Sequence, residues 1–139
     1  MTALADIKDV RRQPGEILAF PVEEAVKIYE GALVMVNAAG YAVPGADTTN
    51  CFFVGVADET VDNTSGADGA KVVKVRTNGV ITVASAASLT QANNMDTVYL
   101  ADDQTVDLAA NVTNDLIVGK IVEVVSASKA RVALASLGR

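Results

Sequence analysis

Lys71-Val72-Val73-Lys74-Val75-Arg76-Thr77-Asn78-Gly79-Val80-Ile81-Thr82-Val83 decides the fold class of this chain. Two runs dominated by β-branched side chains flank a Thr-Asn-Gly unit. Branched Cβ atoms sit comfortably on a pleated strand and crowd the turns of a helix. Asn-Gly supplies the left-handed conformations that a tight turn requires. The stretch therefore predicts a β-hairpin, with Lys71–Arg76 and Val80–Val83 as paired strands.

The same grammar recurs on both sides of this segment. Towards the N-terminus, Glu16–Val22 follows Gln13-Pro14-Gly15, a second strand surrounds Val26–Tyr29, and a third is Leu33–Val36. Asn37-Ala38-Ala39-Gly40 forms a turn into Tyr41–Val43, which Pro44-Gly45 ends. Phe52–Ala57 is the most aromatic run and is assigned to the centre of the core, with Gly55 marking a bulge or a close backbone approach. Asp58–Gly69 reads as a polar loop, and Ser85–Asn94 as a loop or a single helical turn starting near Ser88. Val98–Ala101 and Thr105–Leu108 pair around Asp102-Asp103-Gln104. Ile117–Val125 and Ala130–Ala135 pair across Ser126–Lys129. The expectation is an all-β fold, a compact barrel-like domain of about ten short antiparallel strands, spanning residues 16–139.

Composition agrees with this and removes several functions. A chain of 139 residues falls in the range of one domain and buries roughly 68% of its unfolded surface. The apolar set is dominated by 22 Val and 23 Ala, with 3 Phe, 3 Tyr and no Trp. There is no His, so the usual proton shuttle of nucleophilic triads and metal-bound waters is missing. Carboxylates acting alone are the remaining catalytic option. Asp58 with Glu59 and Asp102 with Asp103 are adjacent pairs, which point to opposite faces of a strand or towards water in a turn. The expectation is a protein that is not an enzyme. Cys51 is the single cysteine and, next to Phe52 and Phe53, reads as a small buried hydrophobe rather than a reactive thiol.

No phosphate-cradling glycine motif occurs. Asp58, Glu59, Asp62, Asn63 and Asp68 gather hard oxygen ligands on one loop, but their order departs from the EF-hand pattern, so no metal and no cofactor is expected. A net charge of −6 argues against binding a nucleic-acid backbone. No stretch approaches the roughly 18 uninterrupted apolar residues of a membrane span, and the start lacks a signal-peptide core; a soluble product made in the cytoplasm, with no membrane partner, is expected. The sequons at Asn63 and Asn111 are then chance matches.

Charge is distributed unevenly. Residues 45–70 carry Asp47, Asp58, Glu59, Asp62 and Asp68 without a base, and residues 95–116 carry Asp96, Asp102, Asp103, Asp107 and Asp115, again without a base. Asp is common in turns because its side chain bonds nearby backbone, and such asymmetry also orients a molecule on a partner. Residues 1–15 differ from the rest, with Asp6, Lys8, Asp9, Arg11 and Arg12 among scattered aliphatics before Pro14-Gly15. They read equally as an extended N-terminal arm that orders on contact and as a frayed terminus with no partner.

Lys27-Ile28-Tyr29-Glu30-Gly31 leading into Leu33–Val36, Gly40-Tyr41-Ala42-Val43-Pro44, and Phe53-Val54-Gly55-Val56-Ala57-Asp58-Glu59 occur in this order. Val73-Lys74-Val75, Gly79-Val80 and Val118-Gly119-Lys120-Ile121-Val122 follow. The ordered set, spanning residues 16–125, resembles the capsid decoration (cement) proteins of tailed bacteriophages. The resemblance implies a compact barrel-like or β-tulip body, a homotrimer, seated on the outer surface of the mature head. It would bridge neighbouring major capsid proteins and stabilise the shell against the pressure of packaged DNA. On this reading the capsid-binding residues are expected in the arm, at Ile7, Val10, Arg11 and Arg12. An alternative is a small fibre or tail component binding carbohydrate or protein, though sugar sites favour aromatic platforms and only Tyr29, Tyr41 and Tyr99 accompany the three Phe.

Overall fold

The computed structural model describes residues 16–135. The chain is all-β, with twelve strands among the described residues. They are β1 (Ile17–Pro21), β2 (Val26–Ile28), β3 (Leu33–Val36), β4 (Ala42–Pro44), β5 (Phe52–Ala57) and β6 (Val61–Asn63). β7 (Val72–Arg76), β8 (Val80–Ser85), β9 (Thr97–Leu100), β10 (Thr105–Asp107), β11 (Ile117–Ser126) and β12 (Lys129–Leu134) complete the set. The expected strands are present, and the loop expected over Asp58–Gly69 contains the extra short strand β6. The region Ser85–Asn94 holds one 3-10 turn, Gln91–Asn93.

The strands form three assemblies. A five-stranded sheet has the order β1-β7-β5-β3-β4, a closed barrel runs β10-β8-β12-β11-β9, and β2 pairs with β6 as a two-stranded ribbon. All ladders between named strands are antiparallel except β10 on β8, which is parallel, a departure from the antiparallel expectation. That exception follows from connectivity, because β10 returns from its antiparallel partner β9 to close the barrel on β8.

The hairpin expected across Asn78-Gly79 does not form. β7 pairs with β1 from Ile17↔Arg76 to Pro21↔Val72 and with β5 at Val56 and Ala57. β8 pairs instead with β12, from Lys129↔Ala84 to Ala133↔Val80. Thr77-Asn78-Gly79 is thus the crossing from sheet to barrel. The Thr77 amide and hydroxyl both donate to the Glu16 carbonyl, at 2.8 and 3.3 Å, while the Leu134 amide donates to the Gly79 carbonyl at 2.8 Å. The two sides of the joint are tied to different layers.

Two apolar clusters explain why β3 and β5 read as nearly continuous apolar runs. Strand side chains alternate between faces. Leu33, Met35 and Phe53 point into one cluster, shared with Val98, Leu100, Val118, Ile121 and Val132 of the barrel. Val34 and Val54 point into the other, with Ile28, Val61, Val73 and Val75. The sheet is a middle layer, covered by the barrel on one face and by the β2–β6 ribbon on the other. Phe53 lies in the core as expected. Phe52 does not: it is 73% exposed, because period-two alternation sends the neighbour of a buried residue outward.

Gly55 confirms the expectation of a close approach and a bulge. The β3–β5 register slips between Val34 and Met35, leaving Val54 as the extra residue. Gly55 has φ +151°, and a Cβ there would lie 2.2 Å from the Arg76 carbonyl oxygen. Only glycine lets β7 reach β5 at this point.

Candidate docking surfaces

Two surface features stand out, a groove and a strand edge. The groove, of about 700 Å³, is lined by residues 48–54 and 114–117. It lies where the start of β5 meets the start of β11, at the seam between sheet and barrel. Phe52 stands at the groove with Ile117, itself 38% exposed. An exposed Phe is notable in a chain with three.

Asp47 builds this groove. Its carboxylate accepts the Thr113 amide at 2.8 Å, the Asn114 amide at 2.9 Å and the Asn114 side-chain Nδ2 at 3.0 Å. The Thr113 bond is the main reason the carboxyl is held below the ordinary Asp range, with the Asn114 bonds adding to it against a desolvation cost. Beside it, Ala46 forms an isolated bridge with Asp102. The two acid-rich, base-free segments of the sequence therefore meet here. Asn50 (φ 59°) and Asp115 (φ 51°), one on each wall, take left-handed conformations that Asn and Asp tolerate better than other side chains.

The second feature is the outer edge of β1, which ends the five-stranded sheet. The Thr77 amide donates to Glu16 O and the Val22 amide to Lys71 O, in the same register as the β1–β7 ladder. Even-numbered residues of β1 therefore exchange hydrogen bonds with β7, and odd-numbered ones turn their backbone groups outward. Pro21 occupies an outward position, where its missing N–H costs the sheet no bond. Ile17 and Ala19 direct N–H and C=O groups away from β7, with Ile17 43% exposed. No named strand among the described residues pairs with this edge.

Asp58, Asp62, Asp68 and Asp102, singled out from the sequence, are dispersed into separate structural bonds. Asp58 pairs with Arg76 at 3.1 Å. Asp62 accepts from the Thr64 hydroxyl and amide, which hold its carboxyl below the usual range. Asp68 accepts the Glu24 amide at 2.8 Å, and Asp102 the Gln104 amide at 2.9 Å. Asn63 is buried, with Nδ2 directed at the carbonyls of Val22, Glu23 and Ala67. The Lys71 ammonium donates to the Asp62 carbonyl at 2.7 Å, bringing a cation to the oxygen-rich loop. No group of three or more His, Cys, Asp or Glu able to hold a metal occurs among the described residues.

Cys51 is buried, and desolvation, followed by the charge of Glu23, pushes its thiol up. Ile7, Val10, Arg11 and Arg12, with the rest of residues 1–15, lie outside the described residues. No described helix is long and apolar enough to cross a membrane. No family model matches this chain, and no curated protein or solved structure matches it.

Proposed function

We propose that this chain is a non-enzymatic virion protein of a tailed bacteriophage, a decoration protein on the outer surface of the mature head. It binds neighbouring major capsid proteins, assembles with itself as a homotrimer, and stabilises the shell against internal DNA pressure. The observation that carries the reading is the outer edge of β1. A strand with outward backbone donors and acceptors is equipped to receive an extended segment of another protein by strand addition. A three-copy assembly binding several capsid subunits gains avidity without a tight single contact.

Co-sedimentation of the purified chain with expanded heads, assembled from the major capsid protein of the same source genome, tests the reading. Unexpanded shells serve as the control. Saturable binding to expanded heads alone is the expected result. Absence of binding at concentrations well above that of the sites removes the proposal.

A further inference from the structure

Resting on the decoration reading, we infer that the groove at the sheet–barrel seam is a second docking site, and that it takes an apolar capsid segment flanked by Lys or Arg. Its shape, exposed residue and charge point the same way. The groove of about 700 Å³ has side-chain volume to accept a few residues of a partner. Phe52, 73% exposed at its rim, offers the kind of aromatic anchor around which interface energy concentrates.

Charge selects the partner. Asp115 lines the groove, Asp47 sits beside it through its bonds to Thr113 and Asn114, Asp102 lies next to Asp47 through the Ala46 bridge, and neither residues 45–70 nor residues 95–116 contain a Lys or Arg. A two-fold contact between two such grooves would set these carboxylates against their own copies, which disfavours a second chain seated face to face. A segment carrying its own cations meets the carboxylates with opposite charge and places its apolar residues on Phe52 and Ile117. The Asp47 bonds to Thr113 and Asn114 hold the two walls together before a partner arrives, so little ordering cost remains for binding.

Head binding by wild type, Phe52→Ser, Phe52→Leu and Asp115→Asn tests this. Phe52 is exposed, and Asn suits the left-handed backbone at position 115, so each variant is compatible with the fold; circular dichroism and thermal melting verify it. The expected result is that Phe52→Ser weakens binding to expanded heads by roughly tenfold or more, and that Phe52→Leu restores most of it. Asp115→Asn weakens binding at low salt and converges on wild type at high salt. Equal binding by Phe52→Ser and wild type overturns the groove while leaving the decoration reading intact. A change in oligomeric mass for Phe52→Ser, seen by light scattering without heads, assigns the groove to a second copy and overturns the capsid partner. Failure of wild type itself to bind removes the decoration reading and this inference with it.

Discussion

Replacing Gly55 by Ala tests how the sheet is held together. A Cβ at this position would lie 2.2 Å from Arg76 O and 2.8 Å from a methyl of Val75, whereas 3.0 Å is the practical floor for such contacts. Strands β5 and β7 must then part by roughly 1 Å, enough to carry an N–H···O bond out of its working range. Their ladder is short: Val56↔Arg76 and Ala57↔Val75, continued by the Asp58 amide to Lys74 O at 2.8 Å. Losing two or three such bonds at about 1 kcal/mol each, with overlap against Val75, costs about 3–5 kcal/mol. The strained φ of +151° adds about 1–2 kcal/mol. Against a stability of about 6–18 kcal/mol for a domain of this size, the loss is severe.

Gly79→Ala is the comparison. Gly79 also has positive φ, +107°, but a Cβ there meets nothing within 4 Å, so that variant carries the backbone cost alone. Urea unfolding of both, with unchanged m-values, is expected to show Gly55→Ala destabilised by about 4–7 kcal/mol and Gly79→Ala by about 1–2 kcal/mol. Values within about 1 kcal/mol of each other would refute the close approach of β7 to Gly55 as the source of the difference.

The edge, the groove clamp and the thiol give three more expectations. Ala19→Pro removes an outward N–H and is expected to leave the β1–β7 ladder intact while abolishing strand addition, whereas Leu18→Pro removes an N–H directed at β7 and lowers stability by about 1–3 kcal/mol; hydrogen exchange of β7 amides distinguishes them. Asp47→Ala is expected to cost about 1 kcal/mol, given the partial exposure of its bonds, and to loosen residues 113–115, measured by denaturation and amide exchange. Because the folded-state value of Asp47 is depressed, its stabilisation is fully present above the unfolded value of about 3.9 and is lost as pH falls through the lower folded value; Asp47→Asn removes that acid-side dependence. Cys51 lines the groove but is buried and its thiol is pushed up, so it is expected to react with a thiol reagent much more slowly than a free thiol, and labelling at the free-thiol rate would contradict its burial.

Much of the candidate site lay beyond sequence reasoning. The carboxylate of Asp47 binds residues 66 and 67 positions away, and nothing local to Asp47 marks that contact. The one visible signal was the pair of acid-rich segments without bases, which the fold brings together through Asp47 and the Ala46–Asp102 bridge. The edge at β1 was equally hidden, since an edge strand is defined by what does not pair with it. Pro21 is consistent with that place but cannot name the neighbour.

The all-β class and the places of most strands were legible in the chain's residues, because β-branching, turn residues and period-two alternation act within a few neighbours. The sequence also marked Gly55, Cys51 and the turn at Asn37–Gly40, which depend on local backbone or side-chain size. Tertiary structure alone decided who pairs with whom. Asn78-Gly79 suits a hairpin, yet β7 gains five partners on β1 and β8 gains five on β12, and those non-local ladders outweigh a local turn preference. It alone turned Phe52 outward while burying Phe53, since which side of a strand faces the core is set by the layers packed on it.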